Sequence, residues 1–187
     1  QISFTPASYK EGVQSQLDDF PGVTVAPWVQ RPESIGYIRA KSANPLEPPT
    51  IQPNYFSHET DRQLSLAGMK MARKLMQTPE FAPHVECEEL PGPDVNTDEE
   101  MLSYYRENAT TTFHLMGTCR MGPDNDPTAV VDDQLRVRGI KGLRVADASI
   151  MPTMPSANTN ASTIMIGEKC ADLIRGKQLA AADLTGK

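Results

Sequence analysis

The chain reads LRVADASIMPTMPSANTNAS over residues 143–162, and this stretch decides the expected fold of the C-terminal part. A β-prone run, residues 143–146, ends at Asp147, and a helical pattern starts between Asn160 and Thr163. The helix is indicated by residues spaced four apart and by a glycine in the C-terminal cap position: Ile166, Cys170, Ile174 and Gly176. The stretch therefore predicts a strand, a connecting loop and a final helix, in that order.

Both ends of this loop are positions at which proteins often contact ligands. Asp147 follows a strand, where a carboxylate can accept hydrogen bonds from ribose-like or polyol hydroxyls. The helix that begins beside Asn160 presents free N–H groups and a positive dipole end, which favour a negative charge. Taken singly, Asp147 is better explained as a cap and the Asn-rich loop as an ordinary turn, so only their combination indicates a site.

A histidine motif, HLMGTCRMG, occupies residues 114–122. His114 can change its protonation near neutrality, and the amide of Asn158 can orient an oxygen atom. With Asp147 and the helix start, these groups suit removal of a hydroxyl proton next to an electron-accepting ring. The glycine spacing within 114–122 is that of a P-loop, but the required Gly-Lys-Ser/Thr is absent and no GxGxxG occurs, which excludes those phosphate-binding motifs.

Length, charge and composition exclude several classes of protein. The 187 residues include 18 Lys and Arg against 24 Asp and Glu, a net charge of −6 without a basic stripe, so nucleic acid is not an expected partner. There is no apolar run of about 18 residues and no secretory signal, so we expect a cytoplasmic protein, or one at the membrane periphery within a longer parent. The spacing of the 3 cysteines and 3 histidines fits no disulfide framework or zinc site, and no metal is expected.

The first 109 residues begin with strand and turn patterns. Short β-prone runs at 2–4, 23–26 and 35–40 are separated by prolines, and a proline cluster spans 45–53. This pattern fits antiparallel strands better than alternating strands and helices.

A first helix is predicted from Thr60, where Gln63 three residues later completes a capping box, to the residue before Pro79. Three methionines of this helix are assigned to the hydrophobic core: Met69, Met71 and Met76.

An acidic stretch follows, in which residues 78–109 carry nine acids against one base, Arg106, and we expect it to be solvated surface. Within it, Thr97 and Glu100 form a second capping box, which starts a short helix ending near Asn108.

Four motifs occur in order after this stretch: HxxGTCRMG from His114, VVD from Val130, LRVxGxxGLRVADASxMPT from Leu135, and SxNTNAxTIMIxEK from Ser156. Together they closely resemble the C-terminal end of the glucose-methanol-choline (GMC) family of flavoprotein oxidoreductases, most of all its choline dehydrogenase and alcohol dehydrogenase branch. Upstream, RPESxGYIR and IQPNY resemble substrate-domain strands of the same family.

The resemblance implies two catalytic residues. His114 matches the family's active-site histidine, the base or hydrogen-bond partner of the substrate hydroxyl. Asn158 matches the second active-site position, which is Asn or His in different branches. The implied chemistry is hydride transfer from the alcohol carbon to flavin N5, while the hydroxyl proton leaves towards His114.

The resemblance also implies an FAD site. Asp147 and Ala148 match the strand-end pair that touches the ribityl and pyrophosphate region of FAD. Thr159 and Asn160 match the turn whose backbone meets the pyrimidine edge of the flavin, where the helix start would stabilise the anionic reduced ring.

The family's N-terminal dinucleotide-binding fingerprint has no counterpart here, so we expect a C-terminal portion of a longer polypeptide. The expected fold is α+β. Residues 1–109 would form part of the substrate-binding domain, an antiparallel sheet with helices on one face, and residues 110–187 the catalytic loop and C-terminal segment of the FAD-binding domain. Expected partners are an alcohol substrate, the N-terminal FAD-binding half and a second copy in a homo-oligomer. Alone, the chain is expected to be inactive and to hold FAD weakly.

Two other functions remain open. Cys87, His114 and Asn158 occur in the order of a Cys-His-Asn hydrolase, although the acids beside Cys87 oppose thiolate formation. A non-catalytic binding module that uses the acidic stretch as its contact surface is the other alternative. It predicts that His114→Ala leaves alcohol oxidation in the parent protein intact.

Overall fold

The computed structural model describes residues 1–10 and 16–177, which form two compact units, Gln1–Thr112 and Phe113–Lys187. The fold is α+β with antiparallel strand pairing, as the sequence predicts. In the part that the structure describes, the sheet is divided into two separate two-stranded ladders. No helix among these residues is both long and apolar enough to cross a membrane.

The first unit contains both ladders. Strand β1 (Ile2–Thr5) pairs antiparallel with β2 (Thr24–Pro27), and β3 (Tyr37–Arg39) pairs antiparallel with β4 (Thr50–Gln52). The three strands expected near 2–4, 23–26 and 35–40 are confirmed. Strand β4 lies inside the proline cluster 45–53 and overlaps the IQPNY segment; prolines flank it, so no ladder N–H is lost.

Gly36 sets how closely the second ladder can pack. A Cβ atom at this position would lie 2.1 Å from the carbonyl oxygen of Gln52 and 2.7 Å from the Cα of Pro53. Both neighbours are backbone atoms and cannot swing aside, so the approach of the two segments requires glycine.

Helix α1 (Glu59–Met76) ends before Pro79 as predicted, but its start differs from the prediction. His58 is the N-cap, and its Nδ1 accepts a hydrogen bond from the Thr60 N–H at 3.3 Å. The predicted Thr60 and Gln63 box is wrong because Gln63 donates to the Glu59 side chain instead. Of the three methionines assigned to the core, Met69 is buried and Met76 half-buried, whereas Met71 is 55% exposed.

The buried carboxylate of Asp61 attaches α1 to the chain that precedes β3. Its Oδ1 accepts the Glu33 N–H at 2.9 Å and its Oδ2 accepts the Ser34 N–H at 2.8 Å. Burial alone would raise the pKa of Asp61, but hydrogen bonds from Ser34 and Glu33 outweigh it and hold the pKa below its ordinary value. Asp61 therefore remains ionised inside the unit.

Helix α2 (Asp98–Asn108) confirms the second capping box. Thr97 Oγ1 accepts the Glu100 N–H at 3.2 Å, and the Glu100 carboxylate accepts the Thr97 N–H at 2.8 Å. An ion pair of 2.5 Å between Lys70 and Asp98 links α2 to α1. Between these helices, a single 3₁₀ turn covers Ala82–His84.

The second unit is built around a small core whose buried members are Val131, Leu135, Ile150, Met151, Ile166 and Cys170. A 3₁₀ turn, Ala148–Ile150, precedes helix α3 (Asn160–Ile174). Gly176 follows α3 with φ +69°, which confirms its predicted role as a cap.

The sequence favours strands at 130–131, 135–137 and 143–146, but the structure has only isolated bridges there: Met121 with Val131, Val131 with Val137, and Arg136 with Arg144. The Asp132 side chain accepts the Gln134 and Arg136 N–H groups at 2.9 Å, so side-chain bonds replace part of a ladder.

Candidate functional site

Three motifs make up the candidate site: the histidine motif (114–122), the Asp147 motif (145–149) and a third motif, the loop that leads into the final helix (155–161). The first two lie side by side in the second unit. The N–H groups of Gly117, Cys119 and Met121 donate to the carbonyl oxygens of residues 148, 149 and 150, at 3.3, 2.9 and 2.7 Å. These three alternating hydrogen bonds fix the chain after His114 against the turn after Asp147.

Gly117 allows this close approach. Its φ of +83° is unfavourable for other residues, and a Cβ atom would lie 3.4 Å from the Met151 carbonyl oxygen. The glycine three residues after His114 thus has a structural reason: it brings the loop onto the buried Met151.

The segment around His114 alternates between exposed and covered side chains. Phe113 is 75% exposed and Leu115 64% exposed, whereas His114 is half-buried and Met116 packs against the core. Phe113 also has φ +60°, a strained backbone conformation for an aromatic residue. Phe56 and Leu135 have the same left-handed backbone, so this conformation does not by itself mark the site.

The same core carries the third motif. Ile150 and Met151, directly after the Asp147 turn, pack with Ile166 and Cys170 of α3. This packing fixes α3, and hence its first residue Asn160, relative to the Asp147 turn. All three motifs therefore share one hydrophobic support.

Asp147 caps a turn, which is the purely structural role that the sequence also allowed. Its Oδ1 accepts the Ser149 N–H at 2.8 Å and so caps the 3₁₀ turn. The residue is exposed, and within the described residues its Oδ2 has no hydrogen-bond partner. Ala148, beside it, is half-buried. One carboxylate oxygen thus holds the turn while the other is available to a ligand.

The start of α3 has no side-chain cap in the part of the chain that the structure describes. Thr159 is 7% exposed and uses its carbonyl oxygen to accept the Thr163 N–H at 2.9 Å and the Thr163 hydroxyl at 2.8 Å. The first-turn N–H groups from exposed Asn160 onward have no intrahelical acceptor. They form a positive helix end that an acceptor group could occupy.

Asn158 is exposed on the loop just before α3, in the same unit as His114. No hydrogen bond joins these two side chains among residues 1–10 and 16–177. The proximity of all three motifs follows from the shared core and the 117–121 hydrogen bonds.

A further group of residues, which the sequence motifs did not indicate, anchors the end of the histidine motif through Arg120. Asp126 pairs with Arg120, and hydrogen bonds from Thr128, followed by the Arg120 interaction, hold the pKa of Asp126 below its usual range. The Arg120 carbonyl oxygen in turn accepts the Val130 N–H at 2.9 Å. The Asp-Pro-Thr sequence of 126–128 is a turn signal that could have indicated this cluster.

Cys87, the nucleophile of the alternative hydrolase, is exposed in the first unit, with its thiol 4.0 Å from a Glu89 carboxylate oxygen. The hydrogen-bond partner of the thiol is thus a carboxylate and not the imidazole that a Cys-His hydrolase requires.

The histidine segment, the Asp147 turn and the start of α3 thus meet on one hydrophobic core. The chain belongs to the GMC oxidoreductase family, because the family model with that description matches residues 32–167.

Two curated relatives agree with this assignment. The chain is 48% identical over 143 residues to an alcohol dehydrogenase [acceptor] of Pseudomonas putida, covering 76% of this chain and 26% of that protein. It is 46% identical over 147 residues to the mitochondrial choline dehydrogenase of Homo sapiens, covering 79% of this chain and 25% of that protein. The expected likeness to the choline and alcohol dehydrogenase branch is confirmed.

A solved structure of an FAD-dependent oxidoreductase from Chaetomium thermophilum matches with a TM-score of 0.72 and 29% identity. The match covers 82% of this chain and 26% of that one. The chain thus spans about a quarter of the length of these relatives.

Proposed function

We propose that this chain is the C-terminal part of an FAD-dependent oxidoreductase that oxidises a primary alcohol, choline-like or another, to an aldehyde. The observation that carries the proposal is the attachment of three motifs to one core through the 117–121 hydrogen bonds and α3. The names of the two curated relatives, an alcohol dehydrogenase and a choline dehydrogenase, support the substrate class.

The residues of this chain fit FAD. Asp147 would use its unpartnered Oδ2 to accept from hydroxyl groups of the cofactor, with the Ala148 backbone beside it. Thr159 and Asn160 would offer the uncapped N–H groups of α3 to an electron-rich ring edge. When bound, FAD supplies a ring that accepts a hydride at N5, which no side chain of this protein can do.

His114 is the proposed base for the substrate hydroxyl. Its half-buried side chain, between exposed Phe113 and Leu115, is held on a segment that the Gly117 bond and Met116 packing anchor. Such anchoring limits the side chain to a narrow range of positions, which proton removal in step with hydride loss requires. Asn158 would orient the substrate oxygen through its amide.

The proposed domain division assigns residues 1–109 to a substrate-binding domain and 110–187 to the flavin domain of a longer chain. Exposed apolar side chains on α3 support the need for such a partner: Ile164 is 59% and Ile174 65% exposed. Without that partner, we propose that the same surface favours self-association into a homo-oligomer. The proposed location of the whole protein is the cytoplasm, or the periphery of a membrane.

The proposal is tested by mixing the full-length protein, which carries its flavin, anaerobically with a panel of primary alcohols, choline included. Flavin bleaching should occur with at least one alcohol, and Asn158→Ala should slow it, whereas Asn125→Ala, a loop substitution outside the three motifs, should not. A full-length protein whose flavin no alcohol reduces would contradict the proposed activity. Stoichiometric flavin in the purified 187-residue chain would contradict the proposal that most of the FAD site lies elsewhere.

A further inference from the structure

A depression in the C-terminal unit is formed by the first half of the LRVxGxxGLRVADASxMPT stretch, upstream of Asp147. It has a volume of about 460 Å³ and is formed by the turn 136–142 together with Asp132. None of the six residues assigned above to the substrate or to FAD lines it. Its chemistry is therefore independent of the proposed alcohol oxidation.

The lining of this depression is positively charged. Arg136, Arg138 and Lys141 face a single lining carboxylate, Asp132. Arg138 is engaged by Asp124 at 2.7 Å and by the Gly122 carbonyl oxygen at 2.7 Å. Lys141 forms no hydrogen bond or ion pair within the described residues, so its charge is uncompensated.

Arg136 adds unused donors. Its Nε donates to Asp132 Oδ2 at 2.8 Å, and neither of its Nη groups has an acceptor in the ranges 1–10 and 16–177. The guanidinium is thus held in place by one nitrogen while its other two nitrogens can donate to an incoming oxygen. Held in this way, it would lose little conformational entropy on binding an anion.

The backbone contributes donors of the same kind. Gly139 and Gly142 have φ of +79° and +77°, so the chain reverses twice within the turn. The N–H groups of Gly139, Lys141 and Gly142 have no acceptor in the part of the chain described. Consecutive N–H groups around left-handed residues form concavities that bind anions.

We propose that the turn 136–142 binds a phosphate group, with Lys141 and Arg136 supplying charge and the glycine-flanked N–H groups supplying hydrogen bonds. A tetrahedral dianion matches this set because it can accept several donors at once and balances more than one positive charge. The group can belong to a soluble phosphate or to a lipid headgroup. The exposed side chains of Ile140, 56% exposed, and Leu143, 46% exposed, lie beside the turn in sequence and would contact acyl chains in the second case.

The test uses ¹⁵N-labelled 187-residue chain titrated with inorganic phosphate at constant ionic strength, set with sodium chloride. The amide signals of Gly139 and Gly142 should shift and saturate. Lys141→Gln should weaken phosphate binding by up to about fivefold, the upper end of what one exposed charge pair contributes. Lys169→Gln, an exposed lysine on α3 of the same unit, should leave it unchanged.

The second arm distinguishes the two sources. The bound phosphate group would be assigned to a lipid if the chain sediments with phosphatidylcholine vesicles that contain phosphatidic acid but not with pure phosphatidylcholine vesicles. Lys141→Gln should then reduce the fraction of the chain that sediments. Saturation by inorganic phosphate without vesicle binding would assign it to a soluble ligand. Unmoved glycine signals together with no vesicle binding, or equal effects of the two lysine substitutions, would overturn the proposal.

Discussion

The orientation of α3 is the first point to test, because α3 fixes the third motif. Ile166 is 6% exposed and faces the core, whereas Ile164, two residues earlier on the same helix, is 59% exposed. Replacing either isoleucine by alanine removes the same three carbons and gives the same gain in helix propensity, about 0.4 kcal/mol. The two variants therefore differ only in what the side chain contacts.

The expected magnitudes follow from burial. Three buried carbons contribute about 2.4 kcal/mol, and the cavity left behind adds to this loss, so Ile166→Ala should lower the free energy of unfolding by about 2 to 3 kcal/mol. For Ile164→Ala, less than half of the side chain is buried, and the net loss should be about 0.5 kcal/mol.

Urea unfolding of the 187-residue chain, followed by far-ultraviolet circular dichroism, measures this difference. With a slope of about 1 kcal/mol per molar urea, the midpoint of the Ile166→Ala transition should fall by about 2 to 3 M, and that of Ile164→Ala by about 0.5 M. Equal shifts, or a larger shift for Ile164→Ala, would refute the described packing of α3 and with it the common support of the motifs.

Three further predictions concern the first unit. Gly36→Ala should destabilise it by at least about 2 kcal/mol in urea, since the new Cβ would meet the backbone of Gln52; an unchanged midpoint would refute the close approach. Asp61→Ala should cost about 2 to 3 kcal/mol because two hydrogen bonds from N–H groups to a buried carboxylate are lost. Since folding lowers the pKa of Asp61, its ionised carboxylate stabilises the folded state above the unfolded pKa of about 4, and this stabilisation is lost as the pH falls through the lower folded pKa. In Asp61→Asn, the free energy of unfolding should therefore change less with pH over that acid range. Thr97→Ala should cost about 1 kcal/mol, seen as a lower thermal midpoint, whereas Thr97→Ser should restore it.

Local sequence signals predicted the helices well. The Thr97 and Glu100 box is formed as expected, since both bonds lie within four residues and depend little on the rest of the fold. The predicted cap of α1 was wrong because His58 accepts the Thr60 N–H. A histidine and a threonine can both cap a helix, and local sequence does not decide between His58 and Thr60. Met71 was misplaced for a related reason: the helical period identifies a face but not how far the core extends around it.

The parts that depend on distant contacts could not be read from the sequence. The second unit contains isolated bridges where strands were expected, because side chains such as Asp132 and turn glycines take up backbone bonds that a ladder would use. The sequence identified His114, Asp147 and Asn160 only one by one and through resemblance. Their shared support depends on Met151, Ile166 and Cys170, whose packing across α3 no local pattern predicts.

The central claim, that His114 removes the substrate proton, is tested most directly by the rate of anaerobic flavin reduction in the full-length protein at a saturating concentration of its alcohol. His114→Ala should slow this rate by about 10² to 10⁴, the usual contribution of a positioned base. His84→Ala, an exposed histidine in the 3₁₀ turn of the first unit, should leave it unchanged. A His114→Ala enzyme that reduces its flavin at the rate of the His84→Ala enzyme would contradict the account.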